Sequence, residues 1–233
     1  MAAIRYAKGL FEDNSRYIVH RFQNRSEWLT GRNELKGVGG SDSAAVIGMN
    51  PWRSNRDLWL IKTGRKTAPD ISDNSAVKYG QRAEEYIRRI FQLDTEDTFE
   101  VNYVENCILQ NRDKPFMLYS PDGLLHEKAT GLNGIFEAKT STLLSALAKE
   151  RWNERIPENY YCQILHGMAV TGFDFAILRA QLKYSDDLTY VRTYRIDRDE
   201  VADDIAAIEK GVEDFWKNYV EPDIEPPLIL RNL

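Results

Sequence analysis

The chain is short of the residues that build several familiar classes of protein. Among 233 residues there are two cysteines, Cys107 and Cys162. Two thiols cannot make a disulfide scaffold, a four-cysteine zinc site or an iron–sulphur cluster. There are three histidines, His20, His126 and His166, and they form no metal-ligand or triad spacing with either cysteine. His166 reads as a packing or hydrogen-bonding histidine. No apolar run approaches the roughly 20 residues that a membrane span needs. The first ten residues carry no apolar signal segment. The expectation is therefore a soluble, reduced, cytoplasmic protein with no membrane association. Positive charge is scarce too: 31 Lys+Arg stand against 36 Asp+Glu, a formal net charge of −5. That excludes a protein coated in positive charge that packages nucleic acid. It leaves open an enzyme with a local basic groove.

What is present is enough for a core. Hydrophobic residues make up 42% and aromatics 11%, which excludes global disorder, and the length suits one domain over residues 1–233. Residues 1–14 read as a lead-in and 221–233 as an extended tail after Glu221-Pro222. No internal repeat or low-complexity tract occurs. Helices are expected around residues 26–32, after Ser41 or Asp42 as N-cap, over 55–63, 78–92 and 142–153, from Pro157 to about 170, and over 198–219. Strands are expected at 99–109, 116–120, 134–139, 175–184 and 188–196, the last two joined by a turn at Ser185-Asp186-Asp187. The class is mixed α/β.

The chemistry concentrates in Ser120-Pro121-Asp122-Gly123 and Glu137-Ala138-Lys139. Side chains alternate along a strand, so Glu137 and Lys139 share a face while Ala138 points away. With Asp122 at a turn before that strand, two carboxylates and an ammonium meet. Hard oxygen ligands of this kind suit Mg²⁺, which binds through one or two carboxylates, retained waters and substrate phosphate. The Ala138 carbonyl is a further oxygen donor, and the lysine could orient an attacking water. The plainer alternative is a surface turn followed by an exposed ion pair. It fits poorly with charges that end the apolar Ile135-Phe136 segment, where an unpaired charge is costly.

Asp122…Glu137-Ala138-Lys139 resembles the PD-(D/E)xK nuclease signature. The wider chain resembles the lambda exonuclease and YqaJ-type viral recombinase branch of that superfamily. The matching pieces come in the family's order: Gly39-Gly40-Ser41-Asp42-Ser43-Ala44-Ala45, Gly80-Gln81-Arg82-Ala83-Glu84, the two motifs above, then Tyr160-Tyr161-Cys162-Gln163 and Met168-Ala169-Val170-Thr171-Gly172. The resemblance implies a restriction-endonuclease-like core, a central mixed β-sheet flanked by helices. It implies two Mg²⁺ ions, for which Mn²⁺ can substitute, held by Glu84, Asp122, Glu137 and the Ala138 carbonyl. Lys139 would position the water, with Gln163 and Tyr160 near the metals and the DNA. Glu84 and Glu85 precede Arg88 and Arg89 by four alike, so spacing does not choose between them; the motif match picks Glu84. Ser41 reads either as a helix cap or, with an upstream arginine, as a holder of a 5′-terminal phosphate. Arg32 is the candidate arginine and Lys36 the alternative.

The function so implied is Mg²⁺-dependent 5′-to-3′ exonuclease action on linear double-stranded DNA. It would leave 3′ single-stranded overhangs for phage-type annealing recombination. A single-strand annealing protein would be the partner and a homotrimer the assembly. The alternatives are an endonuclease on the same core, or a non-catalytic DNA-end-binding module. Trp52, Trp59 and Trp152 could stack on bases or simply pack. If DNA lies in a local basic channel, Arg32, Lys36, Arg53 and Lys139 should share a groove and the acidic residues late in the chain should not.

Overall fold

A computed structural model describes residues 9–184 and 188–229; part of the lead-in, the Ser185–Asp187 turn and the end of the tail lie outside them. Two sheets form. The larger has five strands in the order β3-β6-β7-β8-β9: β3 Phe99–Asn102, β6 Gly123–Glu127, β7 Asn133–Leu143, β8 Phe175–Tyr184 and β9 Thr189–Asp197. The smaller has four in the order β1-β4-β5-β2: β1 Tyr17–Arg21, β4 Cys107–Asn111, β5 Met117–Tyr119 and β2 Val38–Gly39. Each is mixed: β7 pairs parallel with β8 and β2 with β5, the other pairs antiparallel. The expected single strand over 99–109 is split into β3 and β4, one in each sheet, by a turn in which Asn106 has φ 52°.

β7 and β8 are the spine. Ile135, Phe136 and Glu137 of β7 and Phe175, Ala176 and Leu178 of β8 are all fully buried, the run expected of parallel strands covered on both faces. A parallel pair needs a crossover. Here it is α5 (Ala146–Arg151) followed by α6 (Glu158–Thr171). Glycine with φ 74° at Gly172 ends α6, its N–H reaching the Met168 carbonyl. The helix expected over 142–153 is shorter, because β7 continues to Leu143.

On the other face lies α4 (Ser75–Asp94), whose Ala83, Ile87 and Phe91 pack with Phe136, Ala138 and Ile177. Thus Phe136 and Ala138 look toward α4, while Ile135 joins the cluster that holds Cys162, Ile164 and Leu165 of α6. Three further helices precede α4: α1 (Arg25–Glu34), whose Trp28 packs with Ile108 and Leu118 of the smaller sheet, α2 (Gly40–Val46), which packs on α6, and α3 (Asn55–Lys62), which packs on α2. Last comes α7 (Ala202–Phe215), extended by a π-helical turn at Trp216–Val220. Its buried Ile205, Ile208, Val212 and Phe215 are the apolar face legible in the sequence. Among the described residues no helix is long and apolar enough to cross a membrane.

Candidate active site

β5 ends at Tyr119, Ser120-Pro121-Asp122 turns the chain, and β6 begins at Gly123 opposite Phe136 of β7. The turn leaves the Ala138 N–H of β7 without a β6 partner, and the Asp122 carboxylate takes it, Oδ2 accepting at 2.8 Å. The local hydrogen-bond accounting thus places Asp122 beside Glu137 and Lys139.

Glu137 is fully buried and receives three donors. The Tyr119 hydroxyl donates to Oε1 at 2.7 Å, while Gln163 Nε2 and Lys139 Nζ each donate to Oε2 at 2.9 Å. Lys139 Nζ also stands 3.9 Å from Asp122 Oδ2 and 5.7 Å from the centre of the Tyr160 ring. Burial alone would lower the pKa of this ammonium. The Glu137 and Asp122 charges outweigh that and hold it above the usual lysine range.

α4 brings in Glu84 and Arg88 from the opposite side. Burial raises the Glu84 pKa and the Glu137 charge adds to it, against Lys139, Arg88 and the neighbouring Asp122 carboxyl, which lower it. Glu85 is 51% exposed and paired outward with Arg89, whereas Glu84 is 33% exposed and 3.9 Å from Arg88. The structure therefore brings Glu84, not Glu85, to the cluster. Arg88 is buried, donates to the Asp122 carbonyl at 3.0 Å and lies 3.5 Å over the Tyr103 ring.

Burial, with Glu137 and Glu84 close by, pushes the Asp122 carboxyl well above its ordinary pKa. Three carboxylates share two cations. Among the described residues no group of three or more His, Cys, Asp or Glu side chains is arranged to hold an ion by itself, so this is no closed cage. The donor set is all oxygen, and its charge is incompletely balanced. That fits a hard divalent cation that keeps its own waters and asks for one or two carboxylates.

A second group lies across α6. A cleft of about 140 Å³ is lined by Trp28, Arg32, Gly39, Gly40, Ser41, Tyr119, Ser120 and Gln163 among others. Gln163 joins the two halves, since the same side chain that donates to Glu137 packs against Gly40. Ser41 does not cap α2. Gly39 is the N-cap, and Asp42, three residues on, accepts the Gly39 N–H at 3.3 Å, which leaves the Ser41 side chain on the exposed side.

Asp42 itself is 4% exposed and gathers cations. Lys62 Nζ lies 2.8 Å from Oδ2, Arg53 Nη1 2.9 Å from Oδ1, and Arg32 Nη2 3.8 Å from Oδ2. Burial would raise the Asp42 pKa, but Lys62, Arg32 and Arg53 overcome it and hold the carboxyl at about 2. Arg32 is the arginine of this cleft. Lys36, the alternative, is exposed just beyond α1 with φ 41°, makes no ion pair among the described residues and is not among the residues that line this cleft.

Sequence reasoning missed Tyr119 and Lys62 and saw Arg88 only as an ion-pair partner of Glu84. Tyr119 directly precedes the Ser120-Pro121-Asp122 turn, and that adjacency was the available signal. His166 is buried, its Nε2 3.0 Å from the Leu118 carbonyl, as expected of a hydrogen-bonding core histidine.

The comparisons with known proteins bear on the family and the fold. The uncharacterized protein YqaJ of Bacillus subtilis (strain 168) is 29% identical over 202 residues, covering 84% of this chain and 57% of the relative. The chain thus spans little more than half the length of that relative. An alkaline exonuclease from Laribacter hongkongensis, LHK-Exo, superposes with a TM-score of 0.60 at 23% identity, over 86% of this chain and 94% of that one. The same enzyme in complex with dAMP gives a TM-score of 0.62 at 25% identity, with the same coverage. The mixed α/β architecture is shared with that alkaline exonuclease. A family model described as the YqaJ-like viral recombinase domain matches residues 27–174, more than half of the chain, and the protein belongs to that family.

Proposed function

We infer that the chain is a Mg²⁺-dependent exonuclease acting 5′-to-3′ on linear double-stranded DNA and leaving 3′ single-stranded overhangs. The observation that carries this reading is the convergence of Asp122, Glu137, Lys139 and Glu84 in one cluster, with Gln163 of α6 bridging to the Arg32–Ser41 cleft. Glu84, Asp122, Glu137 and the Ala138 carbonyl would hold the metal, two ions per site, with Mn²⁺ as a substitute. When bound, the metal supplies stabilisation of the charge that develops on the phosphate and on the leaving oxygen.

The residues of the chain do the rest. Lys139 holds the attacking water in line by hydrogen bonding to its oxygen. Glu137 keeps Lys139 in place and is itself kept in one rotamer by Tyr119 and Gln163. The water oxygen bonds to phosphorus as the bond from phosphorus to the 3′-oxygen breaks. The attacking water gives up a proton to solvent and the leaving 3′-oxygen takes one from solvent, releasing a 5′-mononucleotide with a 3′-hydroxyl and a shortened strand with a new 5′-phosphate. Arg32 and Ser41 would receive the terminal 5′-phosphate, and Tyr160, over the lysine, would border the strand.

The setting that follows is phage-type recombination in the cytoplasm of a bacterial host. A single-strand annealing protein would take up the overhang, and a homotrimer would encircle the duplex. The complex of LHK-Exo with dAMP supports a nucleotide-sized product, as a property of that protein.

Incubation of 5′-phosphorylated linear duplex with the wild-type chain and with Lys139→Ala in Mg²⁺ tests the assignment. The expectation is digestion by the wild type, a loss of about 10²–10⁴-fold in the variant, no digestion without divalent metal, and survival of closed circular DNA. Cutting of the circle favours the endonuclease alternative. DNA-end binding with no turnover in Mg²⁺ or Mn²⁺ favours a non-catalytic module.

A further inference from the structure

Of the three tryptophans that could stack on bases, Trp59 and Trp152 are buried. Trp59 donates its indole N–H to the Tyr219 carbonyl at 3.0 Å, and Trp152 packs on Tyr160 and Tyr194. Trp52 is the opposite case. It is 76% exposed, more than any other large apolar side chain among the described residues. Its loop is braced. Asn50 Oδ1 accepts the backbone N–H groups of Trp52 at 2.9 Å and Arg53 at 3.0 Å, and Pro51 fixes the φ between them. Arg53, the next residue, is anchored to the buried Asp42 at 2.9 Å.

The neighbourhood says what such an indole meets. Arg32, Arg53 and Lys62 all converge on Asp42, and none of the three has a second carboxylate within ion-pair distance among the described residues. Three cations on one carboxylate leave a surplus of two positive charges. A polyanion is the ligand that this surplus suits, and an exposed aromatic ring on the residue before Arg53 suits a nucleobase, which stacks whatever its identity. A protein partner would find less to pair with here, because the one carboxylate in the cluster is buried.

We propose that Trp52 is a stacking platform for a nucleobase of bound DNA, set beside a phosphate contact that Arg53 and Lys62 make and Asp42 organises. This rests on the nuclease reading of the chain. It adds to that reading a grip on the DNA that lies outside the metal-binding cluster.

The test measures binding of a short 5′-phosphorylated duplex, with Ca²⁺ replacing Mg²⁺, by anisotropy across a salt series, together with the quenching of tryptophan fluorescence. Trp52→Ala should weaken binding about tenfold with an unchanged salt slope and most of the quench lost. Trp52→Phe should recover binding to within about threefold while still lacking the quench. Lys62→Met should flatten the slope of log K against log salt by about 0.9, the loss of one phosphate contact. Lys66→Met, which removes an exposed lysine paired with Asp57, should leave the slope as it is.

Wild-type affinity and quench in Trp52→Ala overturn the proposal, as does equal loss in the Ala and Phe variants. A change confined to sedimentation, with DNA binding intact, makes Trp52 a protein contact and also overturns it. A wild-type chain that neither binds nor digests duplex overturns the nuclease reading as well.

Discussion

Glu137 is a carboxylate with no solvent exposure and three donors, and the rest of the site is arranged around its fixed position. Removing one donor strands an oxygen in the interior, at a cost of about 1–3 kcal/mol. Tyr119→Phe is therefore expected to lower stability by about that amount and to lower turnover, with calorimetric melting and steady-state rates as the measurements. The residues legible in the sequence were those with a local period or turn. Glu137 and Lys139 alternate on one strand, and Asp122 sits in a Ser-Pro-Asp-Gly turn. Tyr119, Lys62 and Arg88 meet their partners 18, 20 and 34 residues away, and no periodicity reports a contact of that span. His166 makes a second prediction at this scale. Burial lowers its pKa to about 4, against 6.5 for an exposed histidine, so the folded state holds it neutral. The stability this neutral state allows is complete above about pH 6.5. It falls as the pH drops toward 4, because the unfolded chain then takes up a proton that the folded chain refuses. The loss is of order 3 kcal/mol, and denaturant titrations at several pH values should show it, with a flatter profile in His166→Gln.

At the scale of elements, helix α6 decides whether Gln163 can reach Glu137. The helix lies close against the sheet because Gly167 has no side chain: a Cβ there would stand 2.8 Å from the Tyr119 ring and 2.9 Å from Ile135. Gly167→Ala is expected to push α6 outward, at about 1–3 kcal/mol, and to reduce activity by more than the stability loss explains. Thermal melts paired with rate measurements on the folded fraction check it. The helices and the long strands were readable from their apolar spacing, as in α4, α6 and α7. The division into two sheets was not. β1 and β6 have five residues each and β2 only two, too short for a pattern, and their partners are set by pairing across the chain. Expecting one strand over 99–109 also hid the turn that sends β3 and β4 to different sheets.

For the whole molecule, the formal charge of −5 is unevenly distributed. Carboxylates converge at the Asp122–Glu137 cluster, where the proposed divalent cation would reverse the local sign. The late acidic residues of α7 lie elsewhere: Glu213 pairs with Lys114 and Lys217, Asp214 with Lys210, and Asp204 with the Tyr161 hydroxyl. None of them lines the Arg32–Ser41 cleft. Of the cations expected to share a groove, Arg32 and Arg53 gather with Lys62 at Asp42, and Gln163, which lines the Arg32–Ser41 cleft, donates to the same Glu137 carboxylate as Lys139. On the proposed reading, the chain would hold DNA through a local cationic surface on an acidic exterior, and its affinity should fall steeply with salt. The most direct test of the account follows each strand of an end-labelled linear duplex over time, in Mg²⁺, with 5′-phosphate or 5′-hydroxyl ends. The account predicts mononucleotide release from the 5′ end, faster with the 5′-phosphate, and lost in Lys139→Ala. Release that begins at the 3′ end, or digestion by Lys139→Ala at the wild-type rate, would contradict it.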